Sequence, residues 1–165
     1  MATVIHDKLM RSLQMADTMY HRLVLLVGEA GSGKTAILRD IAQNFKTSPI
    51  NINLALSSEL LELTPKQRSL RLPEILDTVA NTASSPVILD NLEILFDKAL
   101  KQDPLRLLQG ISRNRTIVSS WNGAYTDGRL TYAESGHPEY RRYDSVDALI
   151  VGMDGTATID NETHI

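Results

Sequence analysis

The chain contains no cysteine, which excludes disulfides, thiolate metal sites and a cysteine nucleophile, and fits a reducing cytoplasm. Its four histidines, His6, His21, His137 and His164, are scattered. They lack the close pairing that a metal site on one helix needs, so no structural metal is expected. No run of lysine or arginine builds the basic stripe of a dedicated DNA reader, and the net charge is −3. Any nucleic-acid contact must come from assembly or from a local patch. The longest continuous apolar run, Leu23 to Val27, falls far short of the roughly 20 residues that span a bilayer. Ile5-His6-Asp7-Lys8 breaks the apolar stretch a signal peptide would need. These absences point to a cytoplasmic protein without membrane contact.

What is present is ordinary in composition: 165 residues, 42% apolar and 22% charged, enough for one domain with its own core. Ile5, Leu9 and Leu13 recur at helical spacing and mark an amphipathic N-terminal helix over residues 1–21, packed on the domain that follows. Leu23-Val24-Leu25-Leu26-Val27 has the length and apolar continuity of a strand covered on both faces. After a glycine-rich turn, Ile37, Leu38, Ile41, Ala42 and Phe45 share one face of a helix from Thr35 to Phe45. A strand is expected at Ile50 to Leu54, and a short helix from Ser57. Thr64-Pro65 and Leu72-Pro73 both read as helix starts. Val87-Ile88-Leu89-Asp90 is a buried strand ending on an acid, followed by helical segments at Leu92 to Ala99 and at Pro104 to Ile111, the latter capped by Asp103. Thr116 to Ser119 is the next strand. Beyond Trp121, Leu130 to Ala133 and Ala148 to Val151 suggest two short strands joined by a structured loop. Residues 22–153 thus form the domain proper, and 154–165 a flexible tail.

Strands alternating with helices through short connections argue a parallel sheet with helices on both faces. Between the first strand and its helix stand Gly28, Glu29, Ala30, Gly31, Ser32, Gly33, Lys34 and Thr35. In this spacing the glycines let the backbone wrap phosphates, with N–H groups turned inward at the positive end of the helix. Lys34 would meet the β- and γ-phosphates, and the Thr35 hydroxyl would face Mg²⁺. The pattern implies binding of a nucleoside triphosphate, ATP with Mg²⁺. Asp90 ends a strand that the Thr116 strand is expected to separate from the first, on the same edge of the sheet, where it can orient Mg²⁺ through water. Capping the next helix, with Glu93 completing a capping box, is its structural alternative.

Hydrolysis needs a group to activate water, and position 91, where a glutamate is usual after the aspartate, holds Asn91. Asparagine can position a water but cannot accept its proton. Glu93 is the nearest carboxylate, with Glu29 in the loop a second. Asn122 and Ser120 would deliver polar groups beside Asp90 to read the γ-phosphate, or form a turn before Gly123. Trp121 would pack there or stack on a partner. Arg113 and Arg115 precede their strand and lie away from the phosphates, so either could touch a phosphate only across a subunit interface. Arg129, Arg141 and Arg142 are the other arginines placed to act in that way.

With the phosphate loop, Leu89-Asp90-Asn91-Leu92-Glu93, Ser120-Trp121-Asn122-Gly123 and His137-Pro138-Glu139-Tyr140, the chain resembles the BrxF family, small P-loop proteins of type 3 BREX phage-defence systems. The resemblance covers most of the chain. It implies an ATP-binding subunit of a bacterial antiphage complex, with other BREX proteins as partners, a larger ATPase among them, and DNA reached through the complex. The fold expected is a three-layer α/β P-loop NTPase of the ASCE type with a mostly parallel sheet. The stretch after Asn122 is too short for a helical lid domain, which favours a homo-oligomer assembled on nucleotide and hydrolysis that is weak or partner-dependent. A small-molecule kinase and a non-catalytic ATP-binding scaffold remain the rival readings.

Overall fold

The computed structural model describes residues 1–162. Helix α1, Ala2–Ala16, buries Ile5, Leu9, Leu13 and Ala16 on one stripe. Strand β1, Leu23–Gly28, is buried along its apolar length and leads through the glycine-rich loop into α2, Lys34–Asn44. Next come the two-residue strand β2, Ile50–Asn51, and helices α3, Ile52–Leu60, and α4, Pro65–Ala80. Strand β3, Val87–Asp90, is followed by two single-turn 3₁₀ helices, Glu93–Phe96 and Lys98–Leu100, and by α5, Pro104–Ile111. Strand β4 runs from Ile117 to Thr126, and β5 (Arg129–Tyr132), β6 (Arg141–Tyr143), β7 (Leu149–Gly152) and α6 (Thr158–Glu162) complete the order.

The main sheet has the order β2-β3-β4-β1-β7, and every neighbouring pair in it is parallel. β4 therefore separates β3 from the loop-bearing β1, as expected for the ASCE arrangement. Side-chain alternation divides the core in two. Leu23, Leu25, Val87, Leu89 and Ile117 pack with α3, α4 and α5 on one face. Val24, Leu26, Ile88 and Val118 pack with α1, α2 and the tail on the other. The result is a three-layer α/β domain. β5 and β6 extend β4 as antiparallel strands.

Several local expectations are corrected. The strand expected at Ile50 to Leu54 stops at Asn51, because the Asn51 side chain accepts a hydrogen bond from the Leu54 N–H and caps α3. α3 thus starts at Ile52 rather than at Ser57, and both Ser57 and Ser58 lie inside it. Thr64 does start α4, through a reciprocal capping box with Gln67. Pro73, however, lies inside that helix rather than at its start. Leu92 to Ala99 is broken into two 3₁₀ turns because Asp97 leaves helical geometry and accepts from the Ala99 N–H. β4 does not turn at Gly123. A Cβ there would lie 1.8 Å from the Thr131 carbonyl oxygen, so the glycine admits the crossing backbone of β5 and the strand continues.

The stretch from Asp154, expected to be flexible, is folded onto the domain in its described part. Ala157 and Ile159 are buried, Val151 bridges Ala157, and the Lys8 ammonium reaches the Gly155 carbonyl and Asp160. The alternation of Ala157 and Ile159 supplies apolar anchors that glycine-rich surroundings obscured in the sequence. His164 and its neighbours lie outside the described residues. Among the described residues no helix is long and apolar enough to cross a membrane.

Candidate functional site: a phosphate-loop cavity

Strand parity and register assemble the site. Asp90 shares the parity of Ile88, so its carboxylate emerges on the face that carries α2. Leu89 pairs with Ser119, which sets Asp90 beside Ser120, and Gly28 pairs with Asn122 at the start of the loop. The Ser120 hydroxyl donates to Asp90 Oδ1 at 2.7 Å, and the Thr35 hydroxyl donates to Asp90 Oδ2 at 2.7 Å. The Asn91 N–H also donates to Oδ1, at 3.0 Å. Asp90, only 7% exposed, is thus held by three donors, from within β4, from the residue after β3 and from α2. It does not cap the following 3₁₀ helix, which has no side-chain cap. The capping-box alternative for Asp90 and Glu93 is therefore overturned.

Glu93 instead faces the cavity between two amides. Asn53 Nδ2 donates to Oε2 at 2.6 Å, and Asn122 Nδ2 donates to Oε1 at 3.0 Å. Asn53 Oδ1 in turn accepts from the Ile94 N–H at 2.8 Å, which ties the carboxylate to its own helical turn. Asn53 was not singled out in the sequence. Its signal was present in the asparagine two residues past a short strand, but that stretch read as strand interior. Asn91 takes a left-handed φ of +57°, and its carbonyl accepts from the Asn53 N–H at 2.9 Å.

The loop itself has the conformation that the glycines permit. Gly31 and Gly33 have φ of +78° and +100°, values that a residue with a Cβ adopts only at a cost. Gly33 caps α2 without any side-chain bond, so the first N–H groups of that helix lack intrahelical partners and face the cavity. Lys34 is only 5% exposed. Its ammonium donates to the Gly28 and Glu29 carbonyls at 2.8 and 2.6 Å, and to Ser32 Oγ at 3.3 Å. Burial pulls the Lys34 pKa below its ordinary value, while Asp90, Glu93 and Glu29 raise it in part. An ammonium parked on carbonyls beside unpaired helix amides fits a polyphosphate, which would offer it anionic oxygens in exchange.

Ala30, Gly31, Gly33, Lys34, Thr35, Asp90, Asn91, Glu93 and Asn122 line one cavity of about 480 Å³, together with Ala36 and Arg39. Gly28, Glu29 and Ser32 turn to a second hollow on the far side of the loop. The Thr35 hydroxyl and Asp90 carboxylate form the oxygen set that Mg²⁺ accepts when most of its other ligands are water and phosphate. The residues present therefore fit a nucleotide with its metal.

Trp121 is buried, donates from Nε1 to the Thr131 carbonyl, and packs edge-on against Phe96 and Tyr132, which are stacked on one another. It therefore packs the β5–β6 extension and is not free to stack on a partner. That extension stands beside Glu93: the Tyr132 hydroxyl is pushed up to about 12, first by burial and then by Glu93 and Glu139. Arg113 lies over the Tyr20 ring, and Arg115 binds Asp77 and the Ile111 carbonyl. Both precede β4 at the opposite end of the sheet from the loop. Arg141 donates to the Gln102 carbonyl, and Arg129 and Arg142 pair with Asp144. His137 accepts from the Glu139 N–H in the β5–β6 loop.

The family model described as "ATPase family associated with various cellular activities (AAA)" matches residues 24–114, more than half of the chain. The match runs from β1 through α5 and ends before Asn122. No curated protein matches the chain in sequence. A solved structure, of C. elegans PCH-2, aligns over 92% of this chain and 41% of that one, at 17% identity and a TM-score of 0.42. The chain thus spans less than half the length of that relative.

Proposed function

The chain belongs to the AAA family of ATPases, and from that membership we propose that it binds ATP with Mg²⁺ over the phosphate loop and hydrolyses it with help from a neighbouring chain. The observation that carries this reading is the junction of Thr35 and Asp90, 2.7 Å apart, beside an uncapped helix N-terminus and a buried lysine. Thr35 and Asp90 would hold the metal, which when bound supplies positive charge to phosphate oxygens. Lys34 exchanges its loop carbonyls for the β- and γ-phosphates. Glu93, with both oxygens oriented by Asn53 and Asn122, keeps lone pairs free to accept the proton of a water attacking the γ-phosphorus. As that P–O bond forms, the bond to the ADP leaving oxygen breaks.

The setting proposed is a bacterial antiphage complex of the BREX type, in which nucleotide state controls self-assembly or docking to a larger partner. The BrxF resemblance of Asp90-Asn91-Leu92-Glu93 and His137-Pro138-Glu139-Tyr140 supports it. Lys34→Ala tests the site: it is expected to weaken ATP binding about 100-fold or more, because it removes the charge that meets the phosphates, while circular dichroism shows an intact fold. A folded variant that titrates a fluorescent ATP analogue like the wild type would sink the reading. In a bacterium carrying the whole defence system, the same substitution should abolish phage protection. Undiminished protection would remove the antiphage setting.

A further inference from the structure

Arg39 is the second basic side chain lining the cavity, after Lys34. It lies on α2 one helical turn beyond Thr35, so the two residues share a helix face. The Cα–Cβ bond of a helical residue tilts toward the N-terminus, and long side chains follow it. From position 39 a guanidinium can therefore reach back toward the phosphate end of α2, and Ala36 on the same helix also lines the cavity. Asp90, Asn91 and Glu93 line the same cavity.

Of the two basic side chains that line this cavity, Arg39 alone lacks a protein partner among the described residues. Lys34 is occupied by loop carbonyls. Arg68, Arg115, Arg141 and Arg142 each hold a carbonyl or a carboxylate. Arg39 is exposed and, among the described residues, has no hydrogen-bond or ion-pair partner. A permanently charged fork left unpaired in a cavity bounded by a phosphate loop is complementary to an anion that arrives with the ligand.

We propose that Arg39 recognises the terminal phosphate of a nucleoside triphosphate, and so makes the cavity prefer a triphosphate over a diphosphate. This assignment rests on the nucleotide reading above. The end of the cavity identifies which phosphate is meant. Arg39 shares the helix face of Thr35 and the cavity of Asp90 and Glu93, the groups to which the proposed metal and attacking water, and with them the last phosphate, are assigned. The loop amides and Lys34 serve phosphates that both ligands share.

Isothermal titration with ADP and with the non-hydrolysable β,γ-imido analogue of ATP, both with Mg²⁺, tests it on the wild type, Arg39→Ala and Arg39→Lys. Arg39→Ala is expected to lower affinity for the triphosphate about tenfold, the worth of one charge-assisted phosphate contact, and to leave ADP affinity within about twofold. Arg39→Lys should fall between, because lysine keeps the charge and loses the fork. An equal loss for both nucleotides, or no loss for either, overturns the assignment and leaves the nucleotide reading intact. A wild type that binds neither overturns that reading and the assignment with it. The melting temperature of Arg39→Ala, expected to match the wild type because the side chain is exposed, separates a binding defect from a folding one.

Discussion

Asn91 stands where a glutamate would be usual, and its backbone explains why it is not one. At φ +57° the chain is in the left-handed region, which costs an ordinary L-residue roughly 1–2 kcal/mol and which asparagine visits more readily. The turn is anchored on both sides, by Asp90 Oδ1 on its N–H and by the Asn53 N–H on its carbonyl. It carries the chain into the 3₁₀ turn that presents Glu93, so the carboxylate that faces the cavity comes two residues later. Asn91→Gly should keep stability and turnover near wild type. Asn91→Glu should cost about 1 kcal/mol in urea unfolding and should not substitute for Glu93. Glu93→Gln is expected to abolish turnover with ATP affinity retained, and adding Asn91→Glu to it should restore nothing. Recovery of activity in that double variant would show that position 91 can serve as the base and that the left-handed turn is incidental.

Helix α4 contains a proline at position 73 and is nonetheless continuous from Pro65 to Ala80. A proline in a helix interior lacks the N–H that should reach the carbonyl four residues back and typically costs about 3 kcal/mol. Here that carbonyl belongs to Ser69, and Gln102 Nε2 donates to it at 2.7 Å while also reaching the Leu100 carbonyl at 3.0 Å. A side chain from the segment between the second 3₁₀ turn and α5 thus replaces the missing donor, and it couples α4 to that segment. Gln102→Ala should destabilise the domain by about 1 kcal/mol in chemical denaturation. In a Pro73→Ala background, where residue 73 regains its own N–H, the same substitution should cost measurably less. Equal costs in both backgrounds would mean that the Gln102 bond to Ser69 contributes nothing to the helix.

Over the whole molecule, the residues able to act on a nucleotide gather at one end of the sheet. Arg113 and Arg115 are held at the other end, and Arg129, Arg141 and Arg142 are engaged on the β5–β6 extension. Among the described residues only Lys34 and Arg39 bring positive charge into the cavity. An arginine supplied in trans is worth roughly 10³ to 10⁵ in rate in P-loop enzymes. Turnover per chain should therefore rise steeply with protein concentration, or on adding the partner, in parallel with assembly seen by light scattering. Brisk turnover that stays constant down to concentrations where only monomer scatters would mean that Glu93, Lys34 and Arg39 suffice within one chain.

From the amino-acid order alone came the parallel strands, the phosphate loop, and Asp90 at a strand end. These depend on interactions local in sequence: continuous apolar runs, a glycine spacing that permits one loop shape, and an acid that follows a buried strand. Some departures are local ambiguities of pattern, and the others involve groups that meet only after the chain has folded. Asn51 ended a strand because its side chain found the Leu54 N–H, whereas the alternating Ile50-Asn51-Ile52-Asn53 pattern suits a strand equally well. Pro73 looked like a helix start because its remedy, Gln102, lies far along the chain. Gly123 looked like a turn because the backbone it admits belongs to β5. Glu93 was legible as a nearby carboxylate. Its two amide partners, one from beyond β2 and one from β4, were assembled only by the register of three strands, and Arg39 became part of the cavity only when one turn of α2 set it above Thr35.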